Sequence, residues 1–134
     1  MKQRVRAIGF AVVLGIAGAA WPALAASRAH LLQALDSDHD GTIDMDEART
    51  AAAATFDRLD RDHDGTLGGR ELRGRLSTRE LAAADGDHDG TLTKDEYTAA
   101  MEKRFKAANQ DSDETLDARE LGSRHGKALQ RLLR

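Results

Sequence analysis

The chain has 134 residues, with 20 Lys+Arg against 23 Asp+Glu and a formal charge of −3. That length suits one compact domain or two small lobes, and 40% apolar with 32% charged residues suits a soluble globular chain rather than a disordered one. The absence of cysteine excludes a disulfide framework, a thiolate metal site, a cysteine nucleophile and a lipoprotein anchor, and aromatics at 4% argue against a base-stacking platform for nucleic acid.

Residues 1–25 read as a signal peptide. Lys2, Arg4 and Arg6 form a positive start, Ile8 to Ala20 an uncharged apolar run, and Ala23-Leu24-Ala25 a cleavage site after Pro22. The apolar run is too short for a membrane span, and no second one follows, so no stable membrane insertion is expected. The expected location is periplasmic or secreted. Residues 26–134 would then form the working domain, with 17 Lys+Arg against 23 Asp+Glu and a net charge of −6. Such a small core needs another source of stability.

The acidic residues are gathered into four 12-residue windows, 36–47, 60–71, 85–96 and 109–120, which hold 20 of the 23. A merely solvated acidic face would be spread more evenly. The first window reads DSDHDGTIDMDE and fits the pattern of an EF-hand loop. Carboxylates at positions 1, 3 and 5 face a hard cation, Gly at 6 permits a sharp turn, the position 7 carbonyl is a further oxygen, and Glu at 12 can bind through both oxygens. The candidate ligands in loop 1 are Asp36, Asp38, Asp40, Thr42, Asp44 and Glu47. In loop 2 they are Asp60, Asp62, Asp64, Thr66 and Glu71, with Gly68 leaving position 9 to water. In loop 3 they are Asp85, Asp87, Asp89, Thr91 and Glu96. Loop 4 offers Asn109, Asp111, Asp113, Thr115, Asp117 and Glu120, but Glu114 occupies its glycine position and strains the turn, so it should bind weakest or not at all. His39, His63 and His88 fall at position 4, which points away from the ion, and read as surface residues.

Successive loops start 24, 25 and 24 residues apart. The 49-residue repeat (36 to 85, 60 to 109) makes the chain a duplicated two-loop unit. Leu32/Leu35, Phe56/Leu59, Leu81/Ala84 and Phe105/Ala108 precede the loops at a spacing that places each pair on one helix face, as core. Segments 48–59 and 97–108 contain no Gly or Pro and predict continuous helices of roughly 16 residues, about 24 Å long. Such rods hold loops 1 and 2 apart, and likewise 3 and 4. Segment 72–84 should break, with Gly74 weakening the helix and Ser77–Glu80 starting another as a capping box. The fold expected is an all-α, compact EF-hand helical bundle with four metal loops at its edges. Loop 2 would pair with 3 and loop 1 with 4, through Ile43, Leu67, Leu92 and Leu116 at position 8. The basic tail with Leu129, Leu132 and Leu133 predicts a short amphipathic helix packed by its apolar face.

Four EF-hands so closely spaced, behind a signal peptide, resemble the lanmodulin family, periplasmic lanthanide-binding proteins of methylotrophic bacteria. The segments that carry the resemblance are Phe56–Leu67, Leu72–Ser77, Lys94–Asn109 and Thr115–Ser123. That family's loops carry Pro at position 2, where this chain has Ser37, Arg61, Gly86 and Gln110, and tend to carry Asp at position 9, kept here only at Asp44 and Asp117. The resemblance implies lanthanide(III) binding beside the Ca2+ that the loops themselves suggest. Loop 1, with five carboxylates, is the best candidate for a trivalent ion. The expected partners are metal ions rather than nucleic acid, and the expected role is a metal buffer, sensor or carrier that orders on binding. A target-binding regulator of the calmodulin kind would need a methionine-rich groove, and only Met45 and Met101 lie beyond the leader. A two-loop, dockerin-like module fits a four-loop chain less well. No catalytic constellation is evident, so enzyme activity is not expected.

Overall fold

The computed structural model describes residues 30–134. The signal peptide read at residues 1–25 lies outside them. Among the described residues, no helix is long and apolar enough to cross a membrane.

The described part of the first helix, α1, spans residues 30–35. There follow strand β1 (Ile43–Asp44), helix α2 (Met45–Leu59), strand β2 (Thr66–Gly68), helix α3 (Thr78–Ala84) and strand β3 (Thr91–Thr93). Helix α4 (Lys94–Ala108), strand β4 (Thr115–Leu116), helix α5 (Ala118–Gly122) and helix α6 (Arg124–Gln130) complete the chain. The architecture is a compact, mostly helical bundle with two-residue and three-residue strands at its edges.

Helices α2 and α4 are each 15 residues long and uninterrupted. Each is an Ala-rich, Gly-free stretch with one apolar stripe. The α2 stripe is Ala48, Ala52, Thr55, Phe56 and Leu59, and the α4 stripe is Tyr97, Met101, Phe105 and Ala108. They pack antiparallel. Phe56 meets Tyr97 edge-on at 5.8 Å between ring centres, and ion pairs close the two ends, Arg49 to Glu102 at 2.8 Å and Lys94 to Asp57 at 2.7 Å. These pairs are exposed or half-exposed, so they align the helices more than they stabilise them.

At about 22 Å, each rod separates the loops at its two ends, and the loops pair across the duplication instead. Ile43 sits opposite Leu116 in an antiparallel ladder joining loops 1 and 4, and Leu67 opposite Leu92 in one joining loops 2 and 3. All four apolar residues are fully buried. Both pairings are those the helix lengths predict.

Segment 69–77 breaks as expected, and more completely. No helix leaves loop 2. Turns run from Gly68 to Leu76, through hydrogen bonds such as Leu72 N–H to Gly68 O and Leu76 N–H to Leu72 O, with Gly74 at φ +82. Ser77 then starts α3 with a full capping box, accepting from Glu80 N–H while Glu80 accepts from Ser77 N–H. Two of the four apolar pairs are corrected. Phe56/Leu59 and Phe105/Ala108 are core, whereas Leu32/Leu35 and Leu81/Ala84 are only half-buried beside it. In α1 the buried leucine is Leu31, and α3, cut to 7 residues, buries no side chain fully. A helix that short has too little length to set a full stripe against the bundle.

The tail packs as core. Leu129, Leu132 and Leu133 are buried, and α6 lies along α4. The Tyr97 hydroxyl donates to Leu132 O at 2.8 Å, inside the core. Gly126 lets α6 approach α5, since a Cβ there would stand 2.1 Å from Glu120 O and 2.6 Å from the Leu121 Cα.

Two outcomes are expected. Gly126→Ala should lower stability in calcium by about 1–3 kcal/mol in urea unfolding, because backbone rather than a flexible side chain blocks the methyl, while Gly69→Ala, whose nearest neighbour is Leu81 Cδ2 at 3.8 Å, should be close to neutral. Burial raises the Tyr97 phenol from 10.0 to about 12. The folded state therefore holds its proton more tightly, and this contribution to stability is full below pH 10 and lost as pH rises towards 12. Tyr97 is the chain's one tyrosine, so tyrosinate absorbance reads it directly.

Candidate metal centre

Each loop begins where an entering helix stops. In loops 1 to 3 the first residue, Asp36, Asp60 or Asp85, is buried at 5–8% exposure and turns its carboxylate back over the loop. Asp36 accepts from Asp40 N–H and Gly41 N–H at 3.1 and 2.9 Å. Asp60 accepts from Asp64 N–H and Gly65 N–H at 3.2 and 3.1 Å, and Asp85 from His88 N–H and Gly90 N–H at 2.7 and 2.8 Å. The glycines at position 6 take φ between +83 and +89, which a side chain resists. Position 5 orders the next step: Asp40, Asp64 and Asp89 each accept from both the N–H and the hydroxyl of the threonine two residues on, at 2.7–2.8 Å.

His39, His63 and His88 also have positive φ, 59–65, and are exposed. Position 4 thus demands a left-handed residue, a conformation in which His is over-represented. The His39 Nδ1 lies 3.1 Å from Asp36 O. The repeated histidines serve the turn.

Position 12 joins the loop to the helix that follows. Glu47, Glu71, Glu96 and Glu120 each accept with Oε1 from the N–H of position 2 (Ser37, Arg61, Gly86, Gln110) and with Oε2 from the N–H of position 9 (Asp44, Gly68, Thr93, Asp117). Positions 9 and 12 are therefore the N-cap and N3 of a capping box. Asp44, Thr93 and Asp117 return the bond by accepting from the N–H of position 12. Sequence reading assigned Asp44 and Asp117 only to the ion. The strings DMDE, TKDE and DARE at 44–47, 93–96 and 117–120 carried the capping-box spacing as well. Gly68 has no side chain to cap with, and loop 2 is the loop that no helix follows.

Carboxylate oxygens converge in three loops. One oxygen from each of Asp36, Asp38 and Asp40 lies within 4.8 Å of the others, as do those of Asp60, Asp62 and Glu71, and of Asp85, Asp87 and Glu96. The electrostatics show the crowding. Burial pushes the Asp36 carboxyl up, but hydrogen bonds from the Gly41, His39 and Asp40 N–H groups outweigh it and hold it below the ordinary range. Asp85 behaves alike, with Gly90 and His88 as donors. At position 3 the balance reverses. A bond from Asp40 N–H lowers Asp38, but partial desolvation and the Asp40, Asp36 and Glu47 carboxylates leave it above the usual value, and Asp87 is raised in the same way beside Asp89 and Glu96. Bonds from Thr93 N–H and Gly86 N–H hold Glu96 low. An oxygen-only donor set with unrelieved negative charge suits a hard cation of calcium size.

Loop 4 forms no such group among the described residues. Asn109 accepts from Ser112 N–H at 2.7 Å, Asp113 accepts from the Thr115 N–H and hydroxyl at 3.0 and 3.1 Å, and Glu120 is buried with its capping bonds intact. Glu114 holds φ +77 and Ser112 φ +62. The backbone keeps the loop shape, with a left-handed residue at Glu114, and Asn109 at position 1 puts an amide where the other loops have a carboxylate.

The EF-hand family pattern matches residues 28–50, 52–82 and 78–101, more than half of the chain and across loops 1 to 3. The chain belongs to the EF-hand family and is a calcium-binding protein of that kind. No curated protein matches it.

Glu114→Gly should remove a left-handed non-glycine residue at the cost of some unfolded-chain entropy, for a net gain of about 0.5–1 kcal/mol. Calcium-free urea unfolding measures it. A lowered midpoint, the result of the entropy cost alone, would mean that the loop 4 turn carries no strain.

Proposed function

We propose that this chain is an exported, lanmodulin-like metal-binding protein. It takes calcium in loops 1 to 3 and trivalent lanthanide ions in the same oxygen cages, orders on binding, and acts as a metal buffer, sensor or carrier. The observation that supports it best is the convergence of carboxylate oxygens to within 4.8 Å in three separate loops. Asp36, Asp60 and Asp85 at position 1, Asp38, Asp62 and Asp87 at position 3, and Glu47, Glu71 and Glu96 at position 12 would hold the ions, with Asp40, Asp64 and Asp89 at position 5. The Thr42, Thr66 and Thr91 carbonyls add an oxygen each. Export rests on the charged, apolar and Ala-x-Ala pattern of residues 1–25.

Charge sets the metal preference. A trivalent ion gains more than a divalent one from each carboxylate around it. Loop 1 keeps Asp44 at position 9, whereas loops 2 and 3 have Gly68 and Thr93 there. One Asp44 oxygen accepts from Glu47 N–H at 2.7 Å, so the fifth carboxylate acts on the ion while it caps α2. Loop 1 is the lanthanide-preferring site in this reading. The target-binding alternative lacks its surface: Met101 is fully buried and Met45 half-buried, so they form no methionine-rich groove.

Binding and folding are linked here. Seventeen candidate ligand carboxylates on so small a domain repel one another until a cation arrives. Far-UV circular dichroism of residues 26–134 in chelator-buffered calcium and lanthanum should show helix gained with each ion, and at lower free lanthanum than calcium. Unchanged helix content would overturn coupled ordering, and equal midpoints for the two ions would overturn the lanthanide preference.

A further inference from the structure

Loop 2 differs from the other three in the number of cationic side chains around it. A cavity of about 390 Å³ opens beside it, lined by Arg61, Arg70, Arg73 and Arg75 together with Asp62 and Glu71 of the loop itself. These arginines stand at positions 2, 11, 14 and 16 counted from the loop start. The same positions hold Ser37, Asp46, Arg49 and Ala51 at loop 1, Gly86, Asp95, Thr98 and Ala100 at loop 3, and Gln110, Arg119, Gly122 and Arg124 at loop 4. The turn of an EF-hand loop therefore does not require them.

Their arrangement follows from the missing exit helix. Because Gly68 caps nothing, residues 69–76 curl in turns, and Gly74 at φ +82 folds Arg75 back towards Arg70 and Arg73. Leu72 is buried and anchors the turn. Arg75 is fixed further by donating to Arg131 O at 2.7 Å. No ion pair engages Arg61, Arg70 or Arg73 among the described residues, although the chain is acidic overall. Three guanidinium groups with free donors, and a fourth held in place, face one concavity.

We propose that this cavity is a binding site for a small multivalent oxyanion of the phosphate or sulfate type, coupled to the metal in loop 2. Planar guanidinium forks suit such an anion through paired hydrogen bonds. Asp62 and Glu71 share the wall and oppose the anion while they carry unbalanced charge. A cation between them removes that opposition, so metal and anion bind with positive coupling, and each strengthens the other by the same factor. This inference rests on the metal reading of loop 2, and it gives the metal-loaded protein a second ligand.

The test is isothermal titration of residues 26–134 with sodium sulfate at constant ionic strength, in excess calcium and in chelator. In calcium, one sulfate should bind per chain. Arg70→Gln/Arg73→Gln should weaken it by about tenfold or more, as expected for two lost charge-assisted contacts. Arg124→Gln/Lys127→Gln, outside the cavity, should leave it unchanged. Chelator should weaken it several-fold. Circular dichroism in calcium checks that each variant folds, and Arg61→Gln, at an exposed loop position whose backbone N–H keeps its bond to Glu71, provides a second probe should the double variant fail to fold. Sulfate binding that is absent, or equal in wild type, Arg70→Gln/Arg73→Gln and Arg61→Gln, overturns the site. Equal binding in calcium and chelator overturns the coupling. Calcium isotherms on the same samples separate the two readings: calcium bound without sulfate rejects the anion site alone, and no calcium bound rejects the metal function beneath it.

Discussion

The glutamate that closes each loop has two carboxylate oxygens and three tasks. One oxygen accepts from the N–H at position 2 and draws the loop's start to its end. The other accepts from the N–H at position 9 and, in loops 1, 3 and 4, helps begin the next helix. Both belong to the set available to a cation. The loop, the helix and the site are thereby one unit, and a change in any of them is felt by the others. This shared use is the physical basis of the proposed coupling between metal binding and folding. A cation there would neutralise the repulsion among Asp36, Asp38 and Asp40, or their counterparts, and fix the same glutamate on which the helix start depends.

The second constraint is length. The 12 or 13 residues between loops leave no room for separate exit and entry helices. Where the intervening segment has no glycine, one helix serves both loops and holds them a rod's length apart. Where Gly68, Gly69 and Gly74 fall, the helix is lost and loops 2 and 3 meet. Loops 1 and 4 then close the other edge through Ile43 and Leu116. Loop 4 thus contributes its buried leucine to the ladder with loop 1 even though, among the described residues, no three of its carboxylates converge, which gives the loop a structural purpose apart from any ion.

The same glycines shape the surface. A capped helix after loop 2 would have carried Arg70, Arg73 and Arg75 along a rod as Arg119 and its neighbours are carried after loop 4. The turns instead gather them with Arg61 around one cavity beside two of the loop's carboxylates. Basic residues in an acidic protein are often spread to balance its charge. Here half of the duplicated unit concentrates them where the backbone departs most from its twin.

The sequence by itself determined the four loops, their candidate oxygens, the two rods, the break near Gly74 and the pairing of the loops, because each rests on local chemistry: carboxylate spacing, glycine, helix length and an apolar residue at position 8. Only the tertiary structure decided what depends on neighbours. It placed Leu31 rather than Leu32 in the core, left α3 without a fully buried face, and set Gly126 against the α5 backbone. It gave Asp44, Thr93 and Asp117 their second role as caps, a pattern written in the sequence but overlaid by the metal motif in the same residues. It also brought Arg61 and Arg75, 14 residues apart, to one cavity. Spacing fixes which groups can reach an ion, whereas the packing of α4 against α2 and α6 fixes which faces are left for anything else.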